Sequence, residues 1–261
     1  MTSMTEDLCS VEAPISTCIV VPCYNEERRL HGAEFVDFIR KNSNISFMFV
    51  NDGSIDKTIQ VLESLCAGNH DRLHLLDIQP NGGKAEAVRR GLLNAIDKVR
   101  PSFVGFWDAD LATPLNAIPI FIETLNERDA RTMVFGARIR LLGREVHRKS
   151  SRHYLGRFFA TTVSMMLKLP VYDTQCGAKL FKVTPVLCQI LADPFLSRWI
   201  FDVEIIARLI CAADGDRSKV EQAVFELPLM QWNDVAGSKL HPADFFKAFW
   251  EIVAIWRQYF W

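Results

Sequence analysis

The sequence has no apolar run long enough to cross a membrane. Hydrophobic residues make up 49% of the 261 positions, but charged residues interrupt every apolar stretch before it reaches about 18 residues. Lys168 divides the longest apolar region, from Phe158 to Val171. The first 14 residues are acidic and polar and lack the positive, then apolar, pattern of a signal peptide. We therefore expect neither a transmembrane helix nor a signal peptide.

The sequence also lacks a charge excess, paired cysteines, internal repeats and linkers. Its formal net charge is −1, which argues against nucleic acid as a partner, because binding a phosphate backbone needs a basic excess. The seven cysteines form no CxxC pair and are typical of reduced thiols in a cytoplasmic protein, not of a disulfide framework or zinc site. We expect one continuous domain over 1–261.

What the sequence does contain is an alternation of apolar, β-branched runs with segments of helical periodicity. Strands are expected at 16–21, 45–50, 73–77, 102–107 and 132–137, and helices at 26–40, 56–67, 84–98 and 114–127. This spacing predicts βαβ units in a mostly parallel sheet, with ligands bound where strands end. Beyond residue 137 the alternation fails; helices are expected at 154–168, near 200–213 and from about 243, and a strand near 220–228.

Two acidic residues, Asp108 and Asp110, follow the predicted strand at 102–107. Carboxylates at the end of a buried strand need a cation, because an unpaired buried charge is costly. Hard oxygen ligands of this kind suit Mg²⁺ or Mn²⁺, which also bind substrate phosphates. The pattern is equally compatible with a helix N-terminus, since Thr113 can cap a helix and Pro114 suits its first turn.

A polar loop follows the first predicted strand. Pro22 is expected to stop the strand, and Asn25 or Glu26 can cap the next helix. The alternative is a ligand-binding loop, with Tyr24 and Glu26 beside a base or ribose.

Two further loops are candidates for ligand binding. After the strand at 45–50, Ser54 or Asp56 can cap the next helix, which leaves Asp52 as an unspent acceptor for an N–H of a nucleobase. Two glycines and Lys84 then open the third predicted helix, where backbone N–H groups and the helix dipole favour an anion. The spacing of a P-loop is absent.

Together these loops resemble the family 2 glycosyltransferases of the GT-A fold. The matching motifs are Pro22-Cys23-Tyr24-Asn25-Glu26, Asn51-Asp52-Gly53-Ser54-x-Asp56, Gly83-Lys84-Ala85 and Asp108-Ala109-Asp110. Motifs of the second half resemble the dolichyl-phosphate β-glucosyltransferase branch of the polyprenyl-phosphate glycosyltransferases. They are Asp173-Thr174-Gln175-Cys176-Gly177-x-Lys179-Leu180-Phe181, Arg198-Trp199-x-Phe201-Asp202-Val203-Glu204 and Gly237-Ser238-Lys239-Leu240. The resemblance covers about residues 16–245.

The resemblance implies an α/β protein with a Rossmann-like, mostly parallel central sheet flanked by helices. Within the single domain, 1–137 would form the nucleotide-sugar-binding half, and 138–261 a helical acceptor-side half with a C-terminal amphipathic helix. The implied activity is that of a metal-dependent hexosyltransferase. It would move a sugar, in this branch glucose, from a UDP-sugar to a dolichyl- or undecaprenyl-type polyprenyl phosphate, with inversion at the anomeric carbon.

On the donor side, the resemblance implies a set of residues around the nucleotide sugar. They are Pro22, Tyr24, Glu26, Asp52, Lys84, Asp108 and Lys239. Asp52 would hold the uracil, and Lys84 and Lys239 would lie near the phosphates. Asp108 and Asp110 would serve the Mg²⁺ or Mn²⁺ on the diphosphate, with direct ligation from Asp110 and with Asp108 beside the ribose or the waters of the metal.

On the acceptor side, the implied nucleophile is a lipid phosphate. Its second pKa of about 6 leaves much of it dianionic, so it needs positioning more than deprotonation. A basic stretch begins at Arg138, and guanidinium groups bind phosphate through two parallel hydrogen bonds. The candidate acceptor-phosphate residues are Arg138, Arg152 and Ser238. Asp173 and Gln175 join Asp110 as catalytic candidates, expected near the anomeric carbon or the acceptor phosphate.

A lipid acceptor also requires contact with a bilayer. The segments 154–168 and 244–261 combine apolar and aromatic residues with basic ones, a composition that lets a helix lie in the lipid interface. The same wide apolar faces fit packing against a core. We expect peripheral contact at the cytoplasmic face of a membrane.

Two other interpretations keep the donor loops. One is a family 2 enzyme with a soluble or glycan acceptor, or with another donor such as GDP-mannose or UDP-N-acetylglucosamine; it needs a general base, for which Asp173 or Asp202 is available. The other is a catalytically silent nucleotide-sugar-binding protein. Asp202 and Glu204 also have a structural interpretation, as caps of the helix near 200–213.

Overall fold

The computed structural model describes residues 17–147, 150–233 and 242–261, and the side chains of 17–146, 156–233 and 247–261. The strands in these ranges are β1 Thr17–Cys23, β2 Ile45–Asp52, β3 Leu73–Ile78, β4 Phe103–Trp107, β5 Met133–Ala137, β6 Glu145–His147, β7 Ala178–Lys182, β8 Val224–Pro228 and β9 Gln231–Asn233. The helices are α1 Gly32–Lys41, α2 Thr58–Ala67, α3 Lys84–Lys98, α4 Ile118–Asn126, α5 Ser150–Leu167, α6 Pro185–Ala192, α7 Phe201–Ala212, α8 Arg217–Ala223 and α9 Pro242–Phe260.

Seven of the strands form one sheet with the order β3-β2-β1-β4-β7-β5-β8. β1 pairs in parallel with β2 and β4, β2 with β3, and β5 with β8, whereas β7 runs antiparallel between β4 and β5. The prediction of a mostly parallel sheet is confirmed. Because β7 and β8 come from beyond residue 137, both halves of the chain contribute strands to this sheet. β6 and β9 pair with each other separately.

Helices cover both faces of the sheet, because successive strand side chains point to opposite faces and both sets are apolar. On one face, Val20 and Phe106 belong to a cluster with residues of α3, α5, α6, α7 and α9. On the other, Ile19 and Phe47 cluster with residues of α1, α2 and α4. Phe35 of α1 meets the ring of Phe47 edge-on, with centroids 5.0 Å apart, and each such buried ring stabilises the fold by about 1.5–3 kcal/mol.

α3 lies close to the sheet at Gly91. A Cβ at this position would lie 2.5 Å from Val20 Cγ1 and 2.8 Å from Val50 Cγ2, well inside van der Waals contact. Any side chain would push the helix off β1 and β2, so the packing requires glycine. The close fit holds the first turn of α3, with Lys84, beside the carboxyl edge of the sheet.

The first helix begins later than the pattern predicts. The expected range is 26–40, whereas α1 starts at Gly32 with His31 as its N-cap. The preceding residues form a loop that is bound to the start of α2. The Asn25 N–H donates to Ser54 Oγ at 3.1 Å, and the Glu26 N–H donates to Thr58 Oγ1 at 2.8 Å. The prediction that Asn25 or Glu26 caps a helix is wrong.

Pro22 does not stop β1, which continues to Cys23. The pairing of β1 with β4 ends at Val20, whereas its pairing with β2 runs on to Cys23. Pro22 therefore lies where β1 has one partner strand instead of two. A residue without an N–H is tolerated at such a position.

Beyond residue 137 the predicted elements are less complete. α5, α7 and α9 correspond to predicted helices. The strand expected near 220–228 is wrong in its first part, which is α8 with its N-terminus capped by Asp216, and β8 supplies only the second part. The pattern predicts neither β7 nor α6. β7 is hidden because Lys179 and Lys182 break its apolar run.

α9 divides its residues between the core and the solvent. Ala248, Ile252 and Ile255 are buried, whereas Phe249, Trp250 and Trp256 are exposed, as is Trp261 directly after the helix. The expectation that this segment packs on the core is therefore met on one side of the helix. Across the described residues, no helix has both the length and the apolarity needed to cross a membrane.

Candidate active site

The carboxyl ends of β1, β2 and β4 lie side by side, because the three strands are parallel neighbours. The start of α3 reaches the same edge, since Lys84 Nζ lies 2.5 Å from Asp108 Oδ1. Burial alone would lower the pKa of Lys84, but the charges of Asp108 and Asp202 outweigh burial and raise that pKa. The structure thus brings the predicted phosphate-side lysine and the acidic pair together.

Asp52 binds the loop that precedes α3. Its Oδ1 accepts the Gly82 N–H at 2.7 Å, and its Oδ2 accepts the Gly83 N–H and Asn81 Nδ2, each at 2.9 Å. From the other side, Arg198 Nε donates to Gly82 O at 3.2 Å. The interpretation of Asp52 as an unspent acceptor is therefore wrong. A nucleobase held by Asp52, which stays a prediction, must share its oxygens with this loop.

Neither carboxylate of the acidic pair caps a helix. The 3₁₀ turn at 115–117 has Pro114, not Thr113, as its N-cap residue and has no side-chain cap, so the alternative in which Thr113 caps a helix is wrong. Asp110 Oδ1 accepts the Ala112 N–H at 3.1 Å. Burial, and next the charge of Asp108, raise the pKa of Asp110. A carboxylate that its surroundings disfavour in this way is stabilised by a cation.

The acidic pair fits a divalent cation bound together with a phosphate. Within the described ranges, no three His, Cys, Asp or Glu side chains converge as a complete metal cage. Mg²⁺ needs only one or two carboxylates when substrate phosphates complete its coordination. Lys84 already occupies Asp108 Oδ1. Within the part of the chain that the structure describes, the Asp110 carboxylate accepts a hydrogen bond from the Ala112 N–H alone, so it is the better placed ligand.

The 173–177 motif touches the acidic pair directly. The Asp108 N–H donates to Gly177 O at 3.0 Å. A Cβ on Gly177 would lie 1.8 Å from Asp108 Oδ2, so only glycine leaves room for this carboxylate. The two motifs that the sequence assigns to donor and acceptor therefore meet at one point.

Lys179 is a site residue to which the sequence pattern assigned no role. Its side chain is fully buried, and its Nζ lies 2.6 Å from Asp202 Oδ1. The same Nζ donates to Cys176 O at 2.6 Å and to Thr174 O at 2.9 Å. Burial raises the pKa of Asp202 against the opposing charges of Lys179 and Lys84. Lys179 thus fixes the 174–176 turn, and a lysine inside an otherwise apolar strand was the signal that could have revealed it.

The first turn of α7 has no side-chain cap, so the capping interpretation of Asp202 and Glu204 is wrong. Glu204 is fully buried and accepts hydrogen bonds from its own helix, from the loop before α7 and from α9. Its donors include the Leu196 N–H at 2.8 Å, Arg208 Nη2 at 2.7 Å and the Tyr259 hydroxyl at 2.8 Å. Glu204 therefore attaches α9 to the loop that carries Arg198.

Arg138 and Asp173 form a two-pronged ion pair. Arg138 Nε donates to Asp173 Oδ2 and Nη2 to Oδ1, each at 2.6 Å, and the Arg138 N–H adds a third bond at 2.9 Å. Burial alone would lower the pKa of Arg138, but the charge of Asp173 outweighs it and raises that pKa. The predicted acceptor-phosphate arginine and the predicted catalytic acid are thus bound to each other.

Glu226 of β8 supports this ion pair from below. It accepts the Tyr172 N–H at 2.8 Å and the Asp173 N–H at 2.5 Å. Burial is the largest effect on Glu226 and raises its pKa to about 7. No local motif marks this residue in the sequence, because its role depends on the position of β8 beside β5.

The first loop reaches the site with its acid already paired. Arg29 Nε donates to Glu26 Oε2 at 2.8 Å, and Arg29 Nη2 also contacts Glu26 Oε1. Tyr24 is about one-third exposed, and Pro22 lies within β1. The nucleotide-lining role of this loop stays a prediction.

Gln175 has a buried Nε2 that finds no hydrogen-bond partner among the described residues. An unsatisfied buried donor costs about 1–3 kcal/mol, so a polar ligand atom at this point would stabilise it. Ser238 and Lys239 lie outside the described residues, and Arg152 belongs to α5 with a side chain outside the described ranges.

The architecture is that of the GT-A glycosyltransferases, which confirms the predicted fold. One solved structure with this fold is glucosyl-3-phosphoglycerate synthase from Mycobacterium tuberculosis in complex with Mn²⁺, UDP-glucose and phosphoglyceric acid. It aligns with a TM-score of 0.65 at 15% identity, over 94% of this chain and 80% of that one. A second structure of that protein, with UDP alone, aligns with a TM-score of 0.62.

The chain belongs to glycosyl transferase family 2, whose family model matches residues 18–188. Its sequence is similar to dolichyl-phosphate β-glucosyltransferases of several eukaryotes. It is 30% identical to one from Trichomonas vaginalis over 92% of this chain and 71% of the relative. It is 30% identical to that of Drosophila melanogaster over 93% and 72%, and 29% identical to that of Saccharomyces cerevisiae over 85% and 68%. The predicted family and branch are confirmed.

Proposed function

We propose that this chain is an inverting, metal-dependent glucosyltransferase that transfers glucose from UDP-glucose to a polyprenyl phosphate. The contact between Asp108 and Gly177 carries this proposal, because it supports a donor and an acceptor that meet beside one acidic pair. The similarity to dolichyl-phosphate β-glucosyltransferases along more than nine-tenths of the chain supports the same substrates.

On the donor side, Asp110 and Asp108 would hold Mg²⁺ or Mn²⁺. The bound cation would neutralise the charge that develops on the leaving diphosphate. Lys84 and the N-terminal N–H groups of α3 face the same region and would bind diphosphate oxygens, with Lys239 assigned there by motif. The nucleoside would lie along the loop after β1 and against Asp52.

On the acceptor side, the phosphate of the lipid would bind the Arg138 guanidinium, with Arg152 and Ser238 as further contacts. A phosphate oxygen attacks the anomeric carbon as the bond from that carbon to UDP breaks, so no protein group needs to take a proton. Gln175 Nε2, for which the described residues offer no hydrogen-bond acceptor, would donate to the transferred sugar or the acceptor phosphate. Asp173 would hold Arg138 in the orientation that receives the phosphate.

The test is a transfer assay with purified protein, UDP-glucose, Mn²⁺ and a polyprenyl phosphate in detergent. The expected result is UDP release matched by formation of a β-linked lipid-phosphate glucose. Parallel reactions with GDP-mannose and UDP-N-acetylglucosamine should give much lower rates. UDP release without transfer to any polyprenyl phosphate would refute the proposal.

We further propose that the protein contacts a membrane peripherally. The exposed aromatic residues of α9 and the exposed Phe158 and Met165 of α5 support this proposal, since aromatic side chains favour the lipid interface. Arg257 lies 5.3 Å from the ring of Trp261 and would face anionic headgroups. Co-sedimentation with anionic vesicles tests this contact.

A further inference from the structure

The turn between β5 and β6 presents two leucines to the solvent. Leu141 is 50% exposed and Leu142 fully exposed. The Arg144 N–H donates to Leu141 O at 3.2 Å and closes the turn. Gly143, the third residue of the turn, has a φ of +78°, and a type II turn requires a positive φ at this position. The backbone therefore holds Leu142 outward at the tip.

Basic and apolar groups surround this tip. Arg140 and Arg144 stand on either side of the leucine pair. On the adjoining strand pair, the Glu145 N–H donates to Met230 O at 2.9 Å, and the Met230 side chain is 52% exposed. This arrangement suits the surface of a bilayer. The three exposed apolar side chains can enter the acyl-chain region, and the two arginines can contact anionic headgroups.

The turn lies at the acceptor end of the site. Its first residue, Leu141, follows shortly after Arg138 in the chain, and Arg138 is paired with Asp173. Tyr172 precedes Asp173 in the chain, and the Arg157 guanidinium lies 4.1 Å from the centre of its ring. Phe158, the residue after Arg157, is exposed. Apolar side chains thus border the acceptor end from two elements. A lipid phosphate can reach Arg138 with its chain still in the bilayer only if this end faces the membrane.

We propose that Leu141, Leu142 and Met230, flanked by Arg140 and Arg144, form a bilayer-docking surface for a leaflet that contains anionic phospholipid. This proposal rests on the proposed function, because the surface would present the acceptor end of the site to a lipid substrate. It orients the enzyme locally, beside the acceptor phosphate, independently of the aromatic side of α9.

Vesicle flotation tests the surface directly. The probes are vesicles of phosphatidylcholine with and without phosphatidylserine, and the variant is Leu141→Ser with Leu142→Ser. The expected result is a loss of about tenfold in affinity for the anionic vesicles, because two leucines no longer leave water. Ile120→Ser is the matched control, since Ile120 is 42% exposed on α4, and it should bind like the parent. Failure of the parent to bind, or equal binding by the double variant, would overturn the proposal.

Transfer assays separate this proposal from the proposed function. The double variant should lose about tenfold in rate toward a long-chain polyprenyl phosphate in anionic vesicles. It should stay within about twofold of the parent toward a short-chain isoprenyl phosphate in solution, because the chemistry is untouched. If the parent transfers glucose to neither acceptor, the proposed function fails and flotation still decides the docking surface. Equal rates of parent and variant on vesicles would refute the docking surface alone.

Discussion

The two ends of the site differ in how their charges are satisfied. At the donor end, Asp110 is a half-buried carboxylate with a raised pKa, and among the described residues its hydrogen-bond partner is the Ala112 N–H. At the acceptor end, Arg138 and Asp173 neutralise each other through two side-chain hydrogen bonds, and Glu226 holds the backbone beneath them. In the proposed function a cation and a diphosphate would complete the donor end, whereas the charges of the Arg138–Asp173 pair at the acceptor end already balance each other.

This difference indicates different contributions of the two ends. The surroundings of Asp110 disfavour its charged form, so this carboxylate does not stabilise the fold. Its removal should therefore reduce activity and leave the fold intact. The acceptor-side ion pair stabilises the fold, and an incoming phosphate must compete with Asp173 for the Arg138 guanidinium. Removal of one member should therefore affect both stability and acceptor use.

The largest expected effect is that of Asp110→Asn. The amide has the same shape but no charge for a cation, so the rate of transfer should fall by about 1,000-fold or more. The melting temperature should be unchanged or slightly higher, because a half-buried charge that its surroundings disfavour is gone. Asp97→Asn, at an exposed position of α3, is the control and should keep full activity. Substantial transfer by Asp110→Asn would mean that the acidic pair does not hold the cation.

Gly177→Ala should damage both ends at once. The added methyl group would occupy the place of Asp108 Oδ2, 1.8 Å away. Displacing the carboxylate by about 1 Å should lower the transfer rate by about 100-fold, and the stabilisation by UDP with Mn²⁺ in a thermal-shift assay should fall with it. Gly68→Ala, with no atom within 4 Å of its added Cβ, should behave like the parent. Full activity of Gly177→Ala would show that the contact between the 173–177 motif and Asp108 is not needed for transfer.

Asp173→Asn should affect the acceptor end alone. Leaving Arg138 without its carboxylate should lower the free energy of unfolding by about 3–5 kcal/mol, as measured by urea denaturation. The KM for polyprenyl phosphate should rise by about tenfold, whereas the thermal shift with UDP and Mn²⁺ should not change. Asp129→Asn, at an exposed position, is the control. Loss of UDP binding in Asp173→Asn would contradict the separation of the two ends.

The smallest expected effect is the pH dependence of stability from Glu226. Burial raises its pKa from 4.5 to about 7 in the folded state, so between these values the folded chain holds a proton that the unfolded chain has released. Its contribution to stability is therefore full below about pH 4.5 and is lost as the pH rises through about 7. Glu226→Gln should flatten this decline in urea titrations at several pH values, and Glu221→Gln should not. An identical decline in both variants would assign it to other groups.

The strand-end residues of the donor half could be predicted from the sequence because they follow apolar runs. Parallel strands bring their carboxyl ends to one edge of the sheet, so the sequence predicts that the loops after β2 and β4, with Asp52 and Asp108, lie at the same edge. The prediction that the Asp52 carboxylate has no partner in the protein is wrong. Its oxygens accept hydrogen bonds from the loop that follows β3. Local sequence does not reveal such a partner.

The acceptor half was less predictable because its contacts join distant segments. The Arg138–Asp173 pair, the Lys179–Asp202 pair and the support from Glu226 all connect residues of different elements. β7 was missed because its lysines break the apolar pattern, although Lys179 is buried by pairing with Asp202. Residues that look polar in sequence were placed in the core by partners that only the fold supplies.

The position of β7 has a consequence for biosynthesis. β4 and β5 are synthesised before β7, but β7 lies between them in the sheet. The two strands therefore cannot join one sheet until β7, which ends at Lys182, has been made. A nascent chain that has released β5 from the ribosome therefore carries an open gap in its sheet, and sheet closure waits for about 45 further residues. A chain cut at residue 137 would leave β5 without a neighbouring strand and would expose the edge of β4 that β7 covers. We therefore expect that such a chain does not fold as a separate nucleotide-binding unit.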